Sequence, residues 1–82
     1  MRKIAWSDGA RADVRRIDQK TAMRIFTAIQ RFAETGVGDV KELKGKSGEL
    51  RLRVGDYRVR FTNDADDTIR IHAVRHRREA YR

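Results

Sequence analysis

Arginine stands at every second position in two short runs of this chain, Leu50-Arg51-Leu52-Arg53-Val54 and Tyr57-Arg58-Val59-Arg60-Phe61. A guanidinium is permanently charged and presents a planar fork of N–H donors that fits phosphate oxygens two at a time. Such groups on one side of a ribbon offer a binding surface for a polyanion. Alternation of arginine with apolar residues is the signature of a half-buried strand. Between the runs, Gly55-Asp56 fits a two-residue type II′ turn, which sets Val54 opposite Tyr57, Leu52 opposite Val59 and Leu50 opposite Phe61. The same count sets Arg53 opposite Arg58 and Arg51 opposite Arg60. Like charges facing one another destabilise a sheet, and Glu, Thr or Gln would have served for solubility at any of these positions. A polyanion site is therefore a stronger reading than the plain alternative, a coat of arginines on a solvated face.

A third strand over Thr68–Val74 extends the surface. Pairing Thr62 with Thr68 brings Phe61 to Ile69, Val59 to Ile71 and Tyr57 to Ala73, and a register two residues off keeps the same faces. Arg70 then lies next to Arg60, and His72 next to Arg58. The expected face holds Arg51, Arg53, Arg58, Arg60, Arg70 and His72, with no acid among them. Continued alternation places His76 with His72 and sends Arg77 to the other side; Arg77 joins the basic face only if the strand bends or bulges after Val74. Parity directs Tyr57 inward. Lys44, Lys46 and Arg78 supply further cations for a phosphate backbone.

These strands need a layer to pack on. Arg2–Trp6 alternates weakly and forms a first strand with Ile4 and Trp6 inward. Ser7 is placed to cap a helix over Asp8–Ile17, whose Ala10, Val14 and Ile17 fall on one face. Asp18 caps a second helix, in which Ala22, Ile25, Phe26, Ile29, Phe32 and Ala33 follow the helical template and Gly36 supplies a left-handed end. Residues 37–48 read as a connecting loop from which Val40 and Leu43 fold back onto the core. Three glycines near lysines there invite comparison with a phosphate cradle, but the Gly-x4-Gly-Lys-Ser/Thr spacing is absent. Asn63-Asp64-Ala65-Asp66-Asp67 has turn composition. The architecture is α+β in the order β-α-α-β-β-β, a single domain over residues 1–82, with two N-terminal helices on one face of a small antiparallel sheet.

The chain carries a formal charge of +8 over 82 residues. Residues 41–60 hold seven Lys/Arg against three acids, and residues 70–82 hold five Arg against one. The rest nearly cancels, so the charge belongs to the hairpin and the C-terminal segment. Nucleic acid is the first partner this implies and an acidic protein the second. Without cysteine there is neither a disulfide nor a thiolate zinc site, as fits a reducing cytoplasm. A signal peptide and a membrane-spanning run are not expected.

The order of elements, together with Lys44-Gly45, Arg51-Leu52-Arg53-Val54-Gly55-Asp56-Tyr57-Arg58 and the ending His76-Arg77-Arg78-Glu79-Ala80-Tyr81, closely resembles the RelE/ParE superfamily of bacterial type II toxins. Proteins similar to RelE are ribosome-dependent endoribonucleases that cut mRNA in the A site and are held inactive by a cognate antitoxin. Similar ParE proteins poison DNA gyrase and generally lack the terminal Arg-and-Tyr pattern, so the ending favours the RelE side. The resemblance implies that Arg58 and Arg77 stabilise the phosphate in the transition state and that Tyr81 stacks on or orients the scissile nucleotide. It also implies mRNA, ribosomal RNA and an acidic antitoxin as partners, and no cofactor.

Attack of a ribose 2′-hydroxyl on the adjacent phosphate needs a base, cations for the phosphorane and an acid for the leaving oxygen, without an obligatory metal. Arg51 and Arg53 stand at positions resembling those where RelE carries two lysines, one of them proposed as the base. Arginine cannot accept that proton. His72 or His76 is the expected substitute, because an imidazole is partly neutral at neutral pH. Two other readings stay open: a gyrase inhibitor, and a basic RNA-binding or interaction module without chemistry.

Overall fold

The computed structural model describes residues 2–45 and 48–80. Strand β1 (Lys3–Trp6) leads into α1 (Asp8–Arg15) and α2 (Gln19–Thr35); β2 (Asp39–Glu42), β3 (Glu49–Val54), β4 (Tyr57–Asp64) and β5 (Thr68–His76) follow, and α3 (Arg77–Ala80) comes last. The strands form one sheet in the order β1-β5-β4-β3-β2. Each neighbouring pair is antiparallel except β1 with β5, which is parallel. The expected order β-α-α-β-β-β thus lacked one strand and a terminal helical turn, and the sheet is mixed at its β1 edge.

Both long helices begin where a side chain satisfies an exposed amide. Ser7 Oγ accepts from the Ala10 amide at 3.0 Å, and Asp18 Oδ2 accepts from Thr21 at 3.0 Å. Gly36, with φ 76°, ends α2 in the left-handed conformation that glycine adopts without steric cost. Ala10, Ile25, Ile29, Phe32 and Ala33 from the helices meet Leu52, Val59, Phe61, Ile69, Ile71 and Val74 from the sheet in one buried cluster. Phe32 and Phe61 touch edge to face at 5.3 Å. Trp6 and Phe26 do the same at 5.4 Å, so Phe26 lies at the core margin, partly exposed.

Residues 39–42 form a strand, not the loop expected there. Asp39-Val40-Lys41-Glu42 pairs rung for rung with Arg53 back to Leu50. Val40 packs on the core as expected, but its neighbours are polar, and an edge strand held mainly by ladder hydrogen bonds leaves no clear alternation in sequence. Gly38 permits the approach: a Cβ there would lie 2.8 Å from Leu52 Cδ1 and 3.5 Å from Phe32 Cδ1.

The β3–β4 hairpin has the register counted from its turn, Val54 with Tyr57 through Leu50 with Phe61. Gly55 has φ 59° and Asp56 does not have positive φ, as a type II′ turn requires. The β4–β5 connection differs from the expected one. Asn63 and Asp64 belong to β4, the turn spans only residues 65–67, and Thr62 pairs with Arg70. Asp66 and Asp67 hold φ of 65° and 55° in that turn. Register then slips: Phe61 faces Ile71 but Arg60 faces Ala73, so His72 is an extra residue, a β-bulge.

Candidate nucleic-acid interface

The bulge decides which side chains share the sheet face away from the helices. Beyond it Arg75 is opposite Arg58, and His76 is opposite Tyr57. The Arg77 amide donates to Asp56 O at 2.7 Å, the next rung of the same ladder. Strand parity after His72 therefore runs Ala73, Arg75, Arg77 on the outer face and Val74, His76 on the helix side. Arg77 joins the basic face by a bulge at His72, two residues before the position considered from the sequence. His76 leaves it, contrary to the expectation that it would lie with His72. Its ring stands edge-on to Tyr57 at 5.3 Å, and its Nδ1 accepts the Arg78 amide at 3.2 Å, opening α3.

One row across the face reads Asp39, Arg53, Arg58, Arg75, and the next reads Lys41, Arg51, Arg60, Ala73. Arg75 was missed by the sequence reading, although Ala73-Val74, two apolar residues in succession, marks the break in alternation. The expected absence of acids is also corrected. Asp39, Glu49 and Asp64 lie on this face, and each meets the arginine diagonal to its own cross-strand partner: Arg51–Asp39 at 4.0 Å, Arg60–Glu49 at 3.6 Å and Arg70–Asp64 at 2.6 Å. These diagonal pairs offset the facing arginines, which explains how the sheet tolerates them. Asp64 is held below the ordinary carboxylate range, chiefly by its hydrogen bond from Arg70 and next by that from Thr62.

Glu49 and Asp64 occupy the end of the face far from the Gly55-Asp56 turn. The turn end carries Arg53, Arg58, Arg75 and Arg77. Arg53 Nε reaches Gly55 O at 3.4 Å, and Arg58 is half-buried with Nε and Nη1 shielded from solvent. Arg75 Nε lies 3.3 Å from Asp13 of α1 and its Nη1 4.0 Å from Glu79. Asp13 Oδ2 also accepts the Val74 amide at 2.9 Å, closing the edge of β5 just past the end of β1. Arg77 and Arg78 line a shallow recess with Asp56 and His76. Lys44 is exposed in the turn between β2 and β3. Lys46 and Tyr81 lie outside the described residues.

His72 sits at the bulge, half-buried, with Nε2 2.9 Å from Thr62 Oγ1. An open groove of about 770 Å³ runs along α2 and reaches Asp39 and Arg53 at the edge of the basic face. Met23, Val37 and Leu52 supply its apolar lining, with Lys20, Arg24, Arg31 and Arg53 around them. Met23 is 56% exposed and Val37 54%. Among the described residues no helix is long and apolar enough to cross a membrane, and no His/Cys/Asp/Glu group could hold a metal ion.

The sequence model of the ParE toxin of the type II toxin-antitoxin system, parDE, matches residues 4–81. The chain belongs to this toxin family. Solved structures share its fold. The Methanococcus jannaschii RelB-RelE antitoxin-toxin complex contains a chain 25% identical, with a TM-score of 0.78 and 94% of each chain covered. A chain of the archaeal RelE-RelB complex from Pyrococcus horikoshii OT3 is 20% identical, with a TM-score of 0.77, covering 93% of this toxin and 94% of that chain. The isolated E. coli RelE toxin shares the fold at 11% identity, with a TM-score of 0.75 and coverage of 99% and 96%. None of the curated proteins matches the toxin significantly.

Proposed function

We propose that this toxin is a ribosome-dependent endoribonuclease that cuts mRNA in the A site and so stops translation. One observation carries the reading: the Asp56–Arg77 rung sets Arg77 on the face of Arg53, Arg58 and Arg75. Cations converging from three strands and the C-terminal segment suit a phosphorane, whose charge exceeds that of the phosphodiester it comes from. In this reading Arg58 and Arg77 stabilise that charge, Arg51 and Arg53 clamp the flanking phosphates, and Tyr81 meets the scissile nucleotide. Arg60, Arg70, Lys44, Lys46 and Arg78 hold the RNA backbone. A toeprint of translating ribosomes tests it: a new stop within the A-site codon is expected, and its absence at saturating toxin overturns the reading.

The match to the ParE family favours one second reading, inhibition of DNA gyrase. Loss of gyrase supercoiling in the presence of the toxin, with intact mRNA on the ribosome, is its expected outcome. Under either reading a cognate acidic antitoxin is the natural partner. The solved RelB-RelE complexes support this, as does the basic-rimmed apolar groove along α2, which suits an acidic amphipathic segment. Wrapping from that groove onto the basic face would neutralise both.

A further inference from the structure

Arg51 and Arg53 cannot accept a proton, so an endoribonuclease built on this face needs another base. The chain has two imidazoles. That of His76 is turned to the helix side and its Nδ1 is occupied by the Arg78 amide. His72 is held differently. Its Nε2 lies 2.9 Å from Thr62 Oγ1, the Thr62 hydroxyl donates to Asp64 Oδ1 at 2.8 Å, and Asp64 Oδ2 accepts from Arg70 Nε at 2.6 Å.

Proton counting gives this chain a direction. A carboxylate bound to a guanidinium carries no proton of its own, so the single Thr62 hydroxyl proton goes to Asp64. Thr62 Oγ1 is then an acceptor toward the ring, and the hydrogen between them belongs to His72 Nε2. The neutral imidazole is therefore left with its lone pair on Nδ1. Among the described residues nothing donates to that atom.

The geometry points to His72 as the general base of the cleavage, acting through Nδ1, with Thr62 and Asp64 as positioning residues that fix its tautomer. The assignment rests on the ribonuclease reading. In the step it describes, the 2′-hydroxyl proton passes to Nδ1 while the 2′-oxygen bonds to phosphorus. The bond from phosphorus to the 5′-oxygen breaks, and that oxygen leaves with a proton from solvent water. A 2′,3′-cyclic phosphate and a 5′-hydroxyl result, and His72 returns its proton to solvent.

Single-turnover cleavage of mRNA on programmed ribosomes tests the assignment, alongside ¹⁵N NMR of the imidazole nitrogens in the free toxin. Expected are a loss of at least about a hundredfold in rate for His72→Gln, partial recovery of His72→Ala by added imidazole, and ribosome binding within about twofold of wild type. Thr62→Val should cost about tenfold and Thr62→Ser should restore the rate, because serine keeps the hydroxyl that sets the tautomer. The spectra should show His72 protonated on Nε2 in the wild type and Thr62→Ser, and a tautomer mixture in Thr62→Val. Wild-type cleavage by His72→Gln overturns the catalytic role alone. An Nδ1-protonated ring in the wild type, or equal rates for Thr62→Val and Thr62→Ser, overturns the positioning. No cut by the wild-type toxin overturns the ribonuclease reading and the role with it.

Discussion

Arg77 and Asp64 show how one side chain can be tested for what it contributes. Arg77 is exposed and held by its backbone, so its guanidinium has little structural work to do. If it meets charge that develops only in the transition state, Arg77→Ala should cut single-turnover cleavage by about 10²–10³ while RNA affinity falls less than about tenfold. Equal losses in rate and affinity would make Arg77 a plain phosphate contact. For Asp64 the sign of a pH effect follows from its partners. Hydrogen bonds from Arg70 and Thr62 favour the charged form, so its folded-state pKa lies below the unfolded value of about 3.9. The stability it contributes is complete above that value and disappears as pH falls through the lower folded one. Asp64→Asn should therefore flatten the acid limb of urea-unfolding midpoints measured below about pH 4. An acid limb identical to wild type would show that the Arg70 and Thr62 contacts do not persist in solution.

Elements place these residues, and the most consequential device is the bulge in β5. It turns a strand that would bury Arg75 and Arg77 into one that sets both on the outer face. Asp13 holds the bulged edge by accepting the Val74 amide, with its side chain only 12% exposed. Asp13→Ala leaves that amide without an acceptor and should destabilise the fold by about 1–3 kcal/mol in urea titrations. Asp13→Asn, which keeps an acceptor oxygen, should cost less, and equal costs would mean that charge with Arg75 matters more than the edge bond. What could be read from sequence follows the same logic. A two-residue turn leaves no freedom in counting, so the β3–β4 register was legible to the last pair. Helix caps and stripes were legible because Ser7, Asp18 and Gly36 act locally. The β4–β5 register was not, since three turn residues and one inserted residue leave hydrophobic parity as the only guide. Ala73-Val74 did break that parity, and Arg75 could have been found from it. Strand β2 was hidden because an edge strand with a single inward apolar residue has no pattern to show. The diagonal acids were hidden for another reason: they lie in elements read as loop or turn, or beyond the alternating arginines.

Over the whole molecule, the +8 charge is arranged, not spread. Glu49 and Asp64 pair with Arg60 and Arg70 at the end of the sheet far from the turn, and Arg53, Arg58, Arg75 and Arg77 gather at the turn end, where Asp13 and Glu79 hold Arg75. Convergence of arginines from β3, β4, β5 and the C-terminal segment favours a polyanion that enters across the turn end. Affinity for single-stranded RNA should then depend steeply on salt, each displaced phosphate counterion adding about 0.7 to the slope of log K against log salt. Arg53 stands in the row with Arg58 and Arg75, and Arg70 stands in the compensated end with Asp64. Anisotropy titrations between about 50 and 200 mM salt should show Arg53→Ala lowering the slope by about 0.7 and Arg70→Ala lowering it by less. The comparison separates a directed path from a general attraction. A uniformly basic coat would give both variants the same slope. On a directed path Arg53 gives a full phosphate contact, whereas Arg70, already paired with Asp64, gives only part of one, and the acids on this face grade the hold along the RNA.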